Sequence, residues 1–521
     1  MADSHGMPDI SENAAADTSI PAATSSRICS FHIPHLLECN AQWKDRAVRP
    51  GTGLMYFSDS RATLGGAGSD INLILVLLRD HGFAPAERLD DSWSLFWHTG
   101  DLSASECACM PRLLPHQRWN KLPGATALTV KTELWQTLRA AQRAHRGLYD
   151  FVPESYVMPE ETAAFEATMR EEARHANLWI LKPASRQRGT GIFVHRAVED
   201  RTSSGCGWGA GPVGGLAPPR VLQHVGIASR YIDPPYLLDG LKFDIRLYVL
   251  VTCAHPLVAY VYDEGLARFA TEPYDLDQPL ERRCMHLTNY SLNKHARGFV
   301  PSTPAGHGDA ANGSGGDGGS TAAEDDGVGS KWSLSALRRR LLRELGEAAC
   351  SRMWQAVDVL VARTLVAAEP ALYAAHVASG HPAVACGEKC SSFFQLFGFD
   401  VMLDADAKPW LLEVNAGPSL GTEAPLDLRV KTRMIVDLLN VVGVPAEAQS
   451  RCEACTKTVP SAGVALAASL DQQVRAQVAE EYERAGRTGW RRLLPAAEYS
   501  ALLSAERTWN QSVLQETQTG S

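Results

Sequence analysis

The chain contains no apolar run long enough to span a bilayer, and its first stretch has no basic segment followed by an apolar core. The expectation is therefore a soluble chain with neither a membrane span nor a secretory leader, large enough for two or three domains. A second cysteine pair at zinc-site spacing is also missing. Cys452 and Cys455 stand alone as a CxxC, which points to a structural pair rather than a zinc or redox centre. Twelve scattered cysteines without a leader favour a reducing compartment and free thiols. Finally, there is no excess of positive charge. With 50 Lys and Arg against 59 Asp and Glu, the net charge of −9 speaks against a nucleic-acid partner.

What is present is concentrated in Phe394 to Leu420, FQLFGFDVMLDADAKPWLLEVNAGPSL. It reads as two strands, Leu396 to Leu403 and Pro409 to Asn415, joined by the polar turn Asp404 to Lys408. Alternation puts Phe399, Val401 and Leu403 on one face and Asp400 on the other; in the second strand Leu412 and Val414 oppose Glu413 and Asn415. Closed as a hairpin, it sets Asp400 across from Glu413, with Asn415 two residues further along. Facing carboxylates destabilise a ladder unless compensated, and a hard divalent cation with oxygen ligands compensates them. Magnesium accompanying a nucleoside triphosphate fits that description. The apolar flanks of both strands argue for burial, where unpaired acids are rare.

Upstream, Asp70 to Phe83 has helical periodicity and Ser94 to Gly100 resembles a short buried strand, together a small α/β lobe. A helix is predicted from Leu128 to Gly147, with Lys131 near its start. In LWILKPASRQRGTGIFVH a strand delivers Lys182, and a loop with Arg188, Gly189 and Gly191 precedes a second strand, a shape whose N–H groups can cradle phosphate. KFDIRLYVLVT places Asp244, Arg246 and Tyr248 on one face and Phe243, Ile245, Leu247 and Val249 on the other. Asp244 and Arg246 form either a network around a ligand or a structural ion pair. Arg268, after the turn at Gly265, is a candidate fork for a carboxylate. MHLTNYSLNK is dense in hydroxyl and amide groups and reads as a ligand-lining loop. Thr202 to Pro219 and Pro301 to Gly329 read as disordered insertions. KWSLSALRRRLLREL is an amphipathic basic helix, either a solvated face or a dock for an acidic partner. The expected division is a disordered tail over 1–50, an α/β lobe over 51–150, central and C-terminal lobes over 151–445 and a helical extension over 446–521.

With Lys182, the glycine hairpin, KFDIRLYV, EGLARFAT, MHLTNYSLNK and KPWLLEVNAGPSL in this order, the chain resembles the tubulin tyrosine ligase-like family and, within it, the polyglutamylase branch. The resemblance runs from about Leu95 to Gly443, with an echo in GWRRLLP. It implies an α/β ATP-grasp fold and an ATP-dependent ligase adding free L-glutamate to the γ-carboxylate of glutamates in tubulin C-terminal tails. It also implies magnesium and an acylphosphate intermediate. On matching positions, Lys182, Arg188 and Gly189 would hold phosphates, and Ser229, Arg230, Tyr231 and Ile232 would border the adenine. Lys242, Phe243 and Asp244 with Thr288 and Asn289 would complete the nucleotide site. Asp400, Glu413 and Asn415 would bind magnesium, with Glu413 also counted as catalytic. Arg268, Tyr290, Ser291, Lys331 and Lys431 would recognise the incoming glutamate, which has two carboxylates and so needs at least two cations; Arg268 and Lys431 carry that assignment and are counted as catalytic with Glu413.

The resemblance further implies tubulin and microtubules as partners, neither nucleic acid nor membrane, and a place in the cytoplasm and cytoskeleton, extending to the cilium, flagellum or basal body. The C-terminal part lacks a long basic tract, so docking is expected to rest on the basic helix and the cleft. Two alternatives stand beside this reading. A tubulin glycine ligase is disfavoured by Arg268 and Lys431, because glycine has no side-chain carboxylate. A non-catalytic ATP-binding axonemal scaffold is disfavoured by the presence of all three metal ligands.

Overall fold

A computed structural model describes residues 28–33, 54–58, 72–87, 93–100, 104–172, 177–183, 190–196, 225–301, 327–381, 390–446, 464–496 and 499. Four short parallel strands, β1 (Met55–Ser58), β2 (Ala84–Pro85), β3 (Leu95–Trp97) and β4 (Arg118–Trp119), lie in the order β2-β1-β3-β4. Helix α1 (Asn72–Asp80) packs Leu73, Ile74, Leu77 and Leu78 into one cluster with Tyr56 and Leu95. Parallel strands are covered on both faces, which is why Leu95, Phe96 and Trp97 form an unbroken apolar run.

Helix α2 (Lys131–Ala144) begins one residue after a break. The single helix expected from Leu128 divides at Val130, which takes extended dihedrals and leaves Thr126–Thr129 as a separate turn. Lys131 thereby becomes the first residue of the longer helix. Helix α3 (Thr162–Glu172) and α2 cover a second sheet made of β5 (Ser155–Val157), β6 (Leu178–Pro183), β7 (Phe193–Arg196) and β8 (Val225–Arg230), ordered β5-β8-β6-β7 and antiparallel. Trp135 packs with Val157 and Ile227, and Phe165 and Met169 pack with Trp179 and Leu181.

The third and largest sheet comprises β9 (Leu237–Leu238), β10 (Leu241–Ala254), β11 (Leu257–Tyr262), β12 (Leu266–Phe269), β13 (Lys331–Ser333), β14 (Gln395–Leu403), β15 (Pro409–Asn415) and β16 (Trp490–Leu494). Strand β10 is its spine. It pairs with β12 through Phe243–Arg246, with β11 from Val249 to Ala254, and with β14 along its other edge from Ile245 to Val251. Its odd residues, Phe243 to Val251, join a core with α4 (Leu334–Leu345) and α5 (Glu347–Ala378). Its even face changes character along its length. Lys242, Asp244 and Arg246 are polar, whereas Tyr248 and Leu250 pack with Leu426, Val430 and Met434 of α6 (Pro425–Val442). One face of one strand thus carries both the charges of the site and the apolar anchor beside them.

Caps set the ends of the helices that flank the site. Ser333 Oγ accepts from Ala336 N at 3.1 Å and starts α4. Pro425 opens α6, and Gly443, at a left-handed φ of 67°, closes it.

Two expectations about the ends need correction. The segment after residue 445 is not only helical: α7 (Val464–Ala485) leads into β16, which pairs with β11 and completes the large sheet. Glu481 of α7 accepts from Thr252 Oγ1 at 2.6 Å and Tyr260 Oη at 2.8 Å, anchoring the helix to that sheet. The tail assigned to disorder includes Ile28 to Ile33, where Phe31 is buried and its N and O bond the Asn440 side chain at 2.9 Å each. The insertion Thr202 to Pro219, residues 302–326 of the second insertion, and the Cys452 and Cys455 pair lie outside the described residues. The described ends of the second insertion meet, with Ser330 N donating to Val300 O at 2.8 Å. Every described cysteine with an assigned state is a free thiol, and no described helix is long and apolar enough to cross a membrane.

Candidate active site

The hairpin of β14 and β15 closes through Asp404, whose Oδ1 accepts from Asp406 N at 3.0 Å and Lys408 N at 2.9 Å. In the resulting register Asp400 faces Glu413 and Gly398 faces Asn415, with an irregularity just after Asp400. Asn415 Nδ2 lies 3.4 Å from both Asp400 Oδ2 and Glu413 Oε1. Two further elements reach this spot. Lys131, at the start of α2, holds Nζ 3.9 Å from Glu413 Oε2, and Lys182 on β6 donates to Leu412 O at 3.4 Å. Burial pulls the Lys182 ammonium below its ordinary pKa, against the attraction of Glu413.

Asp400 is also held from the opposite side. Arg246 grips it through Nε at 2.5 Å and a second nitrogen at 3.0 Å, and Arg268 adds a contact at 2.9 Å. Arg268 in turn forks onto Asp244 at 2.7 and 2.5 Å. Register explains this exchange of partners. Asp244 lies across from Arg268, and Arg246 lies across from Asp400. Residues two apart on a strand are farther from each other than residues paired across it, so Asp244 and Arg246 do not pair together. Arg268 thus forks onto two of the chain's own carboxylates, Asp244 and Asp400. Burial disfavours an ionised Asp400, yet Arg246 and Arg268 outweigh it and hold the carboxyl well below the usual carboxylate range.

A third group of charges was not anticipated as a group. Asp427, on α6 and 3% exposed, sits between Lys331 Nζ at 2.5 Å and Lys431 Nζ at 2.8 Å. Lys431 also donates to Gly421 O at 2.6 Å, and the Lys331 ammonium lies 3.7 Å from the centre of the Tyr290 ring. Burial lowers the Lys331 pKa despite Asp427, while the two lysines together hold Asp427 below its ordinary value against its own burial. Asp427 and Lys431 are four apart on a helix, a spacing at which opposite charges meet, and that signal was readable in LDLRVK. The burial was not. Ser291 is half-buried on the one-turn helix Tyr290–Asn293. The expected loop MHLTNYSLNK is largely two such helices, Arg283–His286 and Tyr290–Asn293, and Asn293 ties Thr271 to Leu287 and Asn289 rather than facing a ligand.

The residues expected around a nucleotide divide. Lys242 Nζ donates to Tyr231 Oη at 2.8 Å, and that oxygen lies 2.8 Å from His286 Nδ1. Burial pushes the Lys242 ammonium down to about 7. Ile232 and Thr288 are buried nearby in the chain, and the Asn289 carbonyl accepts from Asn293. Phe243 is a correction: it points to the opposite face and packs against Phe269 in the main core. Ser229 and Arg230 are also tied up structurally. Ser155 Oγ donates to Ser229 Oγ at 2.8 Å; Arg230 bonds Glu154 and Glu172 and lies over Trp179. Arg188 and Gly189 lie outside the described residues. In the basic helix, Arg338 stacks on Trp354 and Arg340 pairs with Glu344 and Asp239, so neither projects freely toward a partner.

The donor chemistry of the hairpin fits a hard cation. Asp400, Glu413 and Asn415 offer oxygen, and an amide exchanges its donor and acceptor ends by rotation of one torsion. Among the described residues no cluster of three or more His, Cys, Asp or Glu is arranged for a metal.

The mixed α/β fold carries a sheet spine lined with paired charges, an acidic hairpin and buried lysines. The family profile of tubulin-tyrosine ligases matches residues 109–303 and 319–452, and the chain belongs to that family, whose architecture is ATP-grasp and whose enzymes use ATP. Tubulin polyglutamylase ttll-5 of Caenorhabditis elegans is 34% identical over 389 residues, covering 72% of this chain and 47% of the relative. Human tubulin polyglutamylase TTLL5 is 33% identical over 380 residues, covering 72% and 25%, and a probable beta-tubulin polyglutamylase of Tetrahymena thermophila is 31% identical over 360 residues, covering 69% and 26%. The chain spans less than half the length of these relatives.

Proposed function

We propose that the chain is an ATP-dependent ligase that joins free L-glutamate to the γ-carboxylates of glutamates in tubulin C-terminal tails. The observation that carries this reading is the pair Lys331 and Lys431 around Asp427: two buried amines already hold one carboxylate and keep one positive charge in surplus. An incoming dicarboxylate calls for more than one such cation, whereas glycine brings a single carboxylate. Tubulin as acceptor, and the cytoskeleton as place of action, are supported by the polyglutamylase names of the relatives.

Asp400, Glu413 and Asn415 are the residues that would hold magnesium. Bound MgATP would supply the γ-phosphoryl group that turns the poorly electrophilic acceptor carboxylate into an acylphosphate with release of ADP, so that the glutamate amine would attack the acyl carbon and inorganic phosphate would leave. The chain's own part is positioning and charge. Lys131 and Lys182 bring ammonium groups to the hairpin, Arg246 and Arg268 keep Asp400 ionised, and Lys331 and Lys431 orient the amino acid.

The test is incubation of the full chain with tubulin, ATP, magnesium and isotope-labelled glutamate or glycine, followed by mass spectrometry of tail peptides. The expected result is glutamate-dependent mass increments on tail glutamates and none with glycine. Increments with glycine alone, or none with either, would refute the reading.

A further inference from the structure

Tyr248 is fully buried, at 0% exposed, and its hydroxyl has no hydrogen-bond partner among the described residues. Its ring belongs to the apolar cluster formed with Leu426 and Val430 of α6. Its position on β10, two residues beyond Arg246 on the same face and across from Gly398, puts it beside the charged part of the sheet. Leu426 and Val430, which share its cluster, flank Asp427 and Lys431 on α6. Tyr248 therefore stands at the junction of the guanidinium cluster and the lysine cluster. A buried polar group without a partner is destabilising, and phenylalanine would fill the same volume without that cost, so the oxygen calls for an explanation.

Resting on the ligase reading above, we infer that the Tyr248 hydroxyl donates a hydrogen bond to a carboxylate of the incoming amino acid, completing the recognition site made by Lys331 and Lys431. The group is kept unsatisfied in the free protein and is satisfied by substrate. A neutral donor suits this place, because a third cation beside two buried lysines would raise the electrostatic cost of the empty site.

The test is Tyr248→Phe in the full chain, with thermal unfolding measured with and without L-glutamate, and with KM determined separately for glutamate and ATP. The expected result has opposite signs. The free variant unfolds at the same temperature as wild type or higher, its stabilisation by glutamate shrinks, and KM for glutamate rises about tenfold, the typical worth of a hydrogen bond to a charged group, while KM for ATP holds. A free variant that melts lower, with both KM values moved together, would show that the hydroxyl is structurally bonded, for instance through a water, and would overturn the inference. Unchanged KM for glutamate would overturn it as well. If wild type itself forms no glutamate-dependent product, the ligase reading falls and this inference falls with it; product from wild type with an indifferent variant sinks only the role of Tyr248.

Discussion

Asp400 and Asp427 are both buried carboxylates gripped by two basic side chains, yet their surroundings differ in kind. Around Asp400 the partners are arginines on neighbouring strands in register, and Asp244 makes the tally two anions and two cations. Planar guanidinium forks fix geometry and leave no net charge to offer. Around Asp427 the partners are lysines, one on β13 and one on α6, and a single anion faces two ammonium groups. Ammonium groups are mobile point charges that can shift toward a new anion. Arginine here is matched charge for charge within the sheet, whereas the two lysines outnumber the one carboxylate between them.

That contrast breaks most sharply at Arg268. Arg268→Ala leaves Asp244 and part of Asp400 uncompensated in a buried place, and the expected loss is about 3–5 kcal/mol of unfolding free energy, read as a lower urea midpoint. An unmoved midpoint would show that this cluster is not architectural. Next in size, Glu413→Gln should leave the urea midpoint unchanged and lower the ligation rate by at least about a hundredfold, since several kcal/mol of charge stabilisation at the phosphates would be lost. A variant with the wild-type rate would remove the hairpin from the chemistry.

Asp427→Asn tests the lysine side. Asp427 raises the pKa of Lys331 against burial, so its removal makes that ammonium give up its proton at lower pH. The carboxylate-binding form is the protonated one and disappears as pH rises through that value. The alkaline limb of glutamate-dependent activity should therefore move to lower pH, with KM for glutamate rising along that limb and KM for ATP little changed. An alkaline limb identical to wild type would disconnect Lys331 from glutamate. Asp427 also has a stability signature: its pKa is held below 3.8 in the fold, so its contribution is complete above that value and is lost as pH falls through the lower folded one. Acid unfolding followed by circular dichroism should show wild type losing stability below this range more steeply than the asparagine variant. The smallest effect is expected at Gly398, where an added Cβ would lie 2.9 Å from Pro418 and 3.2 Å from Arg246 Nε. Gly398→Ala should cost about 1–2 kcal/mol through displaced neighbours, visible in the urea midpoint without loss of magnesium or ATP dependence.

Much of this arrangement was legible in residue order. Period-two alternation in KFDIRLYVLVT separated Phe243 and Ile245 from Asp244 and Arg246, and the same rule, applied to two strands and a polar turn, set Asp400 opposite Glu413. What misled was identity read without register. Asp244 and Arg246 are near in sequence and carry opposite charge, but each finds its partner on an adjacent strand. Arg230, placed beside the adenine by resemblance, bonds Glu172, and Arg338, placed on a docking face by its charge, stacks on Trp354. Phe243, drawn into the nucleotide set with its neighbours, belongs to the core because adjacent strand residues face opposite ways.

Local pattern alone therefore determined which residues share a face, where the acidic hairpin turns, and that Asp400 faces Glu413, because alternation and turn chemistry act over a few residues. Tertiary structure decided the rest: that β16 closes the sheet from a segment expected to be helical, that Lys331 and Lys431 meet around Asp427, and that Tyr248 is buried with its hydroxyl unspent. Those outcomes depend on contacts between segments tens to hundreds of residues apart, where burial changes the strength of each charge and no short-range pattern reports it.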